Sequence, residues 1–223
     1  HLIERIIQIG SNPNDIILDF FAGSGTTAHS VLLQNIASER KNKYICVQMS
    51  EECDENSEIF KAGYKNIADI AKERIKRASE KIQEENPEFK GDLGFKVLKL
   101  SDSNFKQWQQ ITGKDKQALE EQMKLFVDPV SEKATTENIV YELLLRSGKD
   151  LNCKLEHKEN YYCINDNELV FMLEKATQKI VDAIIKENPQ KVVALDRLFK
   201  DNDQLKTNTS LQMKDAEIEF KTI

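Results

Sequence analysis

The feature that most constrains the fold is a short apolar run that ends in a glycine-rich turn. Residues 16–21 read Ile-Ile-Leu-Asp-Phe-Phe, residues 22–25 read Ala-Gly-Ser-Gly, and small residues then open a helix. An apolar run of this length is typical of a strand buried on both faces of a parallel sheet. A strand, a glycine turn and a helix in this order bring backbone N–H groups close to a bound ligand. We therefore predict an α/β fold organised around this turn.

The residues beside the turn indicate which ligand suits it. Gly23, Gly25 and Ala28 match the loose dinucleotide pattern G-x-G-x-x-G/A. Asp19 would repel a pyrophosphate but attract the ammonium and sulfonium groups of S-adenosylmethionine. A triphosphate-binding loop is disfavoured because no lysine follows Gly25. Two glycines alone are a weak signal, so a tight turn without a ligand and a nicotinamide-dependent oxidoreductase, which Asp19 opposes, stay as alternatives.

A second parallel strand is predicted one crossover helix after the turn. Residues 43–49 read Lys-Tyr-Ile-Cys-Val-Gln-Met, and the intervening residues 26–38 suit the helix. In Rossmann-like sites the residue that ends this strand accepts hydrogen bonds from a ribose and is usually acidic. Here it is Gln48, whose amide oxygen can accept a hydrogen bond without carrying charge. We therefore expect Gln48 near the ribose of the cofactor.

The chain divides into three predicted parts, which are a cofactor-binding half over 1–100, a helical connector over 101–150 and a small C-terminal α/β domain over 151–223. Apolar periodicity predicts helices over 2–9, 61–83, 116–126, 136–146, 177–187 and 203–214. Alternation or apolar runs predict strands over 94–100, 161–164, 169–173, 191–195 and 217–223. Trp108 and Phe126 are large apolar side chains, so we expect them to be buried within the connector.

Composition excludes several classes of protein and site. The four cysteines show no C-x-x-C spacing and only three histidines could join them, so we expect no metal site and reduced thiols in a cytoplasmic protein. No apolar run reaches the length of a membrane span. The net charge is −6, whereas a stand-alone nucleic-acid binder is usually basic. If the protein acts on DNA, most of the phosphate-neutralising surface lies outside this chain or in a local patch.

The string at residues 19–27, Asp-Phe-Phe-Ala-Gly-Ser-Gly-Thr-Thr, resembles the cofactor motif of amino-methylating DNA methyltransferases, which modify adenine N6 or cytosine N4. Further segments, at 2–7, 47–51, 61–65, 72–75, 94–100, 103–105, 203–208 and 218–220, resemble the modification (Mod) subunit of type III restriction–modification systems, so that the resemblance extends over nearly the whole chain. It implies a partial Rossmann-like sheet that binds S-adenosylmethionine. The implied pocket residues are Asp19, Phe20, Phe21, Gly23, Ser24, Gly25, Thr26 and Gln48. The implied partners are DNA, a second Mod copy and the restriction (Res) subunit.

One departure from this family concerns catalysis. The family's catalytic motif reads Asp-Pro-Pro-Tyr, but the four prolines of this chain are never adjacent, and Asp128-Pro129-Val130 does not qualify. A helix already under way at residue 2 leads us to expect further sequence upstream. The resemblance then implies the cofactor-binding and C-terminal region of a site-specific DNA adenine-N6 methyltransferase, inactive alone and without catalytic residues of its own. The alternative is a non-catalytic assembly module, in which 101–223 bind another Mod copy or the restriction subunit.

Overall fold

The computed structural model describes residues 2–107, 116–125 and 128–223, and it has a mixed α/β architecture. Two compact units are present, an N-terminal unit His1–Leu98 and a C-terminal unit Lys99–Ile223. The three-part division predicted from the sequence is finer than this one and stays a prediction. No helix within the described ranges is both long and apolar enough to span a membrane.

The N-terminal unit is built on one parallel strand pair. Its elements are α1 (Leu2–Gly10), β1 (Ile16–Asp19), α2 (Thr26–Ala37), β2 (Lys43–Cys46), α3 (Glu58–Lys61) and α4 (Ile67–Glu85). Strands β1 and β2 pair in parallel, with Asp19 opposite Cys46, and α2 connects them. Helices α2 and α4 share a small core in which the buried members are Ala28, Leu32, Ile75 and Ile82. The predicted strand, helix and strand around the glycine turn are therefore confirmed, with shorter strands.

The prediction that β1 is buried on both faces is wrong. Tyr44 and Cys46 of β2 pack against the helical core, but the opposite face of the pair is open. On that face Ile16 is 59% exposed and Leu18 is 48% exposed. The reason is that α2 and α4 cover only one face of this two-stranded sheet. The apolar run indicates that these side chains favour burial, but in this unit the helices cover only one face of the strand.

Two other predictions for this unit are also corrected. The single helix predicted over 61–83 is two helices, because Gly63 adopts a left-handed φ of 98° and Asn66 then caps α4 by accepting a hydrogen bond from the Asp69 N–H at 2.9 Å. The strand predicted over 94–100 is absent, and these described residues form no regular element. Alternation alone does not make a strand, since the backbone must also find a neighbouring strand to pair with.

The C-terminal unit is a five-stranded mixed sheet with helices on both faces. Its helices are α5 (Lys116–Leu125), α6 (Thr136–Arg146), α7 (Gln178–Glu187), a 3-10 turn (Asp196–Phe199) and α8 (Asp203–Asp215). Its strands are β3 (Leu155–Lys158), β4 (Tyr161–Ile164), β5 (Leu169–Met172), β6 (Lys191–Ala194) and β7 (Glu219–Thr222). The strand order is β3-β4-β5-β6-β7, antiparallel up to β5 and parallel from β5 to β7.

Most sequence predictions for this unit are confirmed. The predicted hairpin, the two C-terminal helices and the last two strands all form within two residues of their expected bounds. Strand β3 was not predicted, because Leu-Glu-His-Lys has no apolar alternation and forms by pairing with β4 at the sheet edge. The 116–126 helix is observed as Lys116–Leu125, and Trp108 and Phe126 lie outside the described residues.

The sheet of the C-terminal unit separates two apolar cores. Leu169 and Phe171 of β5 face the core that includes α6, whereas Val170 and Met172 face the core that includes α7 and α8. All four residues of β5 are buried, so this central strand is covered on both faces. Each such side chain contributes on the order of 1.5–3 kcal/mol when it is fully buried. The described part of this unit therefore has a complete core of its own.

A polar cluster ties the start of the C-terminal unit to α6. The Glu142 carboxylate accepts hydrogen bonds from Ser103 Oγ at 2.6 Å, from the Asn104 backbone N–H at 2.6 Å and from Arg146 at 2.7 Å. Burial alone raises the pKa of Glu142, but the hydrogen bonds from these three residues together outweigh it, so that the pKa lies below its usual value. The ionised carboxylate therefore stabilises the fold.

We expect Glu142→Gln to lower the free energy of unfolding of this unit by about 2 kcal/mol at neutral pH, because it removes charge-assisted hydrogen bonds. The folded-state pKa of Glu142 is depressed, so its contribution is complete above the unfolded pKa of about 4.3 and is lost as pH falls through the lower folded value. The difference between variant and wild type should therefore shrink below about pH 4. Urea denaturation, with hydrogen exchange at α6 amides, measures both effects.

The matched control for this substitution is Glu132→Gln, which removes the same charge at an exposed position before α6. It should change the free energy of unfolding by only a few tenths of a kcal/mol, as is usual at the surface. Equal stability losses for the two variants would show that the Glu142 cluster has no special role.

Candidate functional site

The candidate site is the turn between β1 and α2. Gly23 has a φ of 51° and Gly25 a φ of 75°, and both lie in the left-handed region that other residues rarely adopt. The Gly25 N–H donates to the carbonyl oxygen of Ala22 at 2.8 Å, which closes the turn. Gly25 is also the N-cap residue of α2, and no side chain caps this helix end. The two glycines are therefore required by the backbone itself.

The two glycines serve different purposes. A Cβ atom at Gly25 would lie 3.2 Å from the carbonyl oxygen of Ala71, so a side chain there would push against the backbone of α4. A Cβ atom at Gly23 would meet only the carbonyl oxygen of Phe21, at 3.9 Å. Gly25 thus permits close packing of α4 on the turn, whereas Gly23 leaves open space in front of it.

Asp19 ends β1 and holds the turn with its side chain. One carboxylate oxygen accepts the Phe21 N–H at 3.0 Å, and the other accepts the Thr27 hydroxyl at 2.5 Å. The Asp19 carbonyl oxygen accepts the Val47 N–H at 2.8 Å, which extends the strand pairing beyond β2. Each carboxylate oxygen can accept more than one hydrogen bond, so Asp19 retains capacity for a ligand.

Gln48 lies opposite the turn. Its side-chain oxygen accepts the Gly23 N–H at 2.7 Å, and its side-chain nitrogen donates to the Met49 carbonyl oxygen at 3.1 Å. The Ala22 N–H also donates to the Val47 carbonyl oxygen at 3.1 Å. The structure therefore brings Asp19, Gly23 and Gln48 together at one end of the strand pair. The sequence did not predict the Gln48–Gly23 bond, because it gives no distance between the two segments.

Two aromatic side chains stand beside this group. Phe20 is 65% exposed and Phe21 is 86% exposed. Exposed rings of this size are unusual unless a ligand or another chain segment covers them. Their assignment to a cofactor pocket, like that of the other predicted pocket residues, stays a prediction.

One polar contact of the turn comes from a residue that sequence reasoning missed. Arg74 of α4 donates from one guanidinium nitrogen to Ser24 Oγ at 2.8 Å and to Thr26 Oγ1 at 2.7 Å. In the sequence Arg74 is one of several basic residues on an amphipathic helix, and nothing distinguishes it from its neighbours. Only the packing of α4 against the turn reveals the contact.

Two titratable groups near the turn favour their neutral forms. Burial and the Arg74 guanidinium lower the pKa of His29, in the first turn of α2. Burial and the Asp19 carboxylate raise the pKa of the Cys46 thiol, so that it is a poor nucleophile. Within the described ranges, no three His, Cys, Asp or Glu side chains are grouped so that they could hold a metal ion.

Comparisons with known proteins agree with the geometry of the turn. Residues 1–59 match a family model described as DNA methylase. The Mod subunit of the type III restriction–modification enzyme StyLTI from Salmonella typhimurium is 40% identical over 100 residues, which are 45% of this chain and 15% of that subunit. The matched part of the chain is therefore similar to a DNA methyltransferase region of the Mod type. The predicted resemblance is thus confirmed for the matched part.

Two other relatives give the same result. The EcoP15I Mod subunit from Escherichia coli is 41% identical over 99 residues, or 44% of this chain and 14% of that subunit. The type II methyltransferase M.KpnI from Klebsiella pneumoniae is 34% identical over 88 residues, or 40% of this chain and 20% of that enzyme. The matches thus span a small fraction of each relative. A resemblance over nearly the whole of this chain stays a prediction beyond the matched residues.

We expect Gly25→Ala to destabilise the N-terminal unit more than Gly23→Ala. Both substitutions place a Cβ atom in a left-handed conformation, which costs about 1–2 kcal/mol. Only Gly25→Ala adds a contact with the α4 backbone, for a total of about 3 kcal/mol. Urea denaturation of the two variants measures the difference. Equal losses would mean that α4 does not pack tightly against Gly25.

Proposed function

We propose that the N-terminal unit is the S-adenosylmethionine-binding part of a site-specific DNA adenine-N6 methyltransferase of the Mod type. The observation that carries this proposal is the juxtaposition of Asp19, Gly23 and Gln48 at one end of two parallel strands. It lies within the segment that matches a DNA methylase family. In open α/β sheets, ligands bind at the carboxyl ends of the strands.

The residues present fit this cofactor. S-adenosylmethionine supplies an electrophilic methyl group, and it carries an ammonium and a sulfonium but no phosphate. The Asp19 carboxylate favours these cations and disfavours a pyrophosphate. The space in front of Gly23 is open to a ligand, and Gln48 can accept a further hydrogen bond from a ribose hydroxyl. The exposed Phe20 ring suits contact with an adenine or a sulfonium.

The proposed reaction needs a second half that this chain does not contain. Methyl transfer requires the flipped adenine and the methyl donor in one pocket with their reacting atoms aligned. No Asp-Pro-Pro-Tyr motif occurs in the 223 residues, so the base-binding groups would come from another segment. The bare apolar face of the strand pair supports this view, because such faces are typical of surfaces that another element covers. We infer that the pair belongs to a larger Rossmann-like sheet.

A second candidate function concerns the C-terminal unit. Its sheet is covered on both faces by its own helices, which favours a separately folded module. By the Mod resemblance such a module would bind another Mod copy or the restriction subunit, with DNA held mainly by regions outside this chain. A pull-down of partner subunits by residues 99–223 tests this function independently of cofactor binding. Capture of neither partner would remove it.

We expect the chain to bind S-adenosylmethionine weakly, because half of the pocket wall is supplied by other segments and the cofactor stays open to water. Gly23→Val should abolish binding, since the valine side chain occupies the space in front of the turn and also strains its left-handed backbone. Calorimetric titration with S-adenosylmethionine, and with NAD for comparison, measures the affinity of the wild type and of the Gly23→Val variant. A submicromolar dissociation constant would contradict the first expectation.

The control for Gly23→Val is Gly148→Val. Gly148 also has a left-handed φ, of 66°, with no atom within 4 Å of an added Cβ, but it lies in the C-terminal unit. Gly148→Val imposes the same kind of backbone strain in the other unit, so the affinity of this variant for S-adenosylmethionine should equal that of the wild type. Unchanged affinity in a folded Gly23→Val variant would refute the assignment of the turn.

We expect no methylation of DNA by the chain alone. Co-expression with a segment that carries Asp-Pro-Pro-Tyr should restore part of the activity if the two halves pair along the exposed edge of the two-stranded sheet. The assay is transfer of a tritiated methyl group to DNA with many potential sites, and Gly23→Val in the co-expressed chain should abolish it. Robust transfer by the isolated chain would mean that the catalytic groups are present here.

A further inference from the structure

Helix α4 carries a row of basic side chains, and one of them behaves differently from the rest. Four of the five are within 4 Å of a carboxylate of the same helix. These pairs are Lys72–Asp69 at 2.6 Å, Lys76–Glu80 at 3.9 Å, Arg77–Glu73 at 2.6 Å and Lys81–Glu85 at 3.6 Å. Arg74 instead donates to the hydroxyls of Ser24 and Thr26 in the glycine turn.

We propose that Arg74 is a positioning residue for the methyl-donor site, and that it acts through the hydroxyls of Ser24 and Thr26. This inference rests on the proposed function, because it assigns a task in cofactor binding to a residue outside the glycine motif. Arg74 holds the turn in the conformation that presents its open side to the cofactor. In this assignment Arg74 acts on the turn and not on the reacting atoms.

The geometry explains why the turn needs the two hydrogen bonds from Arg74. Gly23 and Gly25 are the most conformationally free residues of the turn, and ordering them costs more entropy than ordering any other residue. Ser24 and Thr26 flank Gly25, and their hydroxyl oxygens lie 3.4 Å apart. One guanidinium nitrogen that donates to both fixes the residues on either side of Gly25 at once. Charge-assisted hydrogen bonds of this kind are stronger than those between neutral groups.

The position of Arg74 in the chain also means that its hydrogen bonds link the turn before α2 to α4. Arg74 lies on α4, one turn of helix after Ala71, whose backbone leaves no room for a Cβ atom at Gly25. The turn is thus packed against α4 at Gly25 and hydrogen-bonded to it on both sides. Because binding to a preorganised loop does not pay the cost of ordering it, this link should raise cofactor affinity.

The test compares the affinity of the full chain for S-adenosylmethionine across matched variants. Arg74→Met keeps the length of the side chain but removes the donor, and it should weaken binding about tenfold. Arg74→Lys keeps a nitrogen that can donate to both hydroxyls and should recover most of the loss. Ser24→Ala combined with Thr26→Val should weaken binding as much as Arg74→Met. Lys76→Met, on the same helix and paired with Glu80, should have no effect.

A positioning role can be distinguished from a general structural role by whether the losses of affinity in combined variants add up. If Arg74 acts through the two hydroxyls, adding Arg74→Met to the Ser24→Ala, Thr26→Val double variant should cause no further loss of affinity. Hydrogen exchange of the amides at 22–27 should also be faster in Arg74→Met without ligand. Additive losses, no recovery by lysine or wild-type affinity of Arg74→Met would each overturn the inference.

The two proposals can fail separately. If neither the wild type nor Lys76→Met binds S-adenosylmethionine at millimolar concentration, the proposed function fails for this chain and the inference fails with it. If the wild type binds and Arg74→Met binds equally well, the inference alone is wrong. Ligand-observed nuclear magnetic resonance reaches the weak affinities expected here, and thermal unfolding confirms that each variant is folded.

Discussion

The N-terminal unit depends on a backbone turn with two left-handed glycines. One backbone hydrogen bond, from the Gly25 N–H to the Ala22 carbonyl oxygen, closes this turn, and contacts from outside the turn further fix its conformation. Three different elements supply them. The Asp19 carboxylate at the end of β1 holds the Phe21 N–H, Gln48 after β2 holds the Gly23 N–H, and Arg74 of α4 holds the two flanking hydroxyls. The strand pair and α4 are therefore coupled through one short loop.

Much of this arrangement could be predicted from the sequence because the signals are local. The apolar run, the two glycines and the helix that follows are contiguous, so α2 was predicted to within one residue and β1 from its first residue, although β1 ends two residues earlier than predicted. The parallel pairing of β1 with β2 followed from the length of one crossover helix. The role of Arg74 could not be predicted, since a side chain about 50 residues away along the chain is brought to the turn only by tertiary packing.

The two sequence predictions that were wrong for elements of the N-terminal unit share a physical origin. The segment over 94–100 alternates as a strand should, but a strand exists only when a neighbour accepts its hydrogen bonds. The pattern over 61–83 is helical on both sides of Gly63, whose left-handed backbone separates α3 from α4. In each case the periodicity describes which side chains favour burial. It does not describe whether the backbone can continue or find a partner.

Two apolar strands illustrate how far burial depends on context. In the C-terminal unit, β5 is covered on both faces, because α6 lies on one side and α7 with α8 on the other. In the N-terminal unit, β1 is apolar apart from Asp19, but helices cover only one face, and Ile16 and Leu18 remain exposed. Leaving such side chains in water forgoes about 25 cal/mol for each Å² of apolar surface.

The polar side chains of the turn explain why the proposed site is ordered without a ligand. Asp19 and Gln48 are already hydrogen-bonded within the protein, so the loop conformation does not require the ligand. A preorganised loop saves the entropy of ordering, but affinity also needs surface that removes the ligand from water. The exposed Phe20 ring and the bare strand face show how much of that surface is lacking in this unit. Under the proposed function, the N-terminal unit therefore supplies a preorganised loop, and the surface that encloses the cofactor comes from a segment that covers the strand pair.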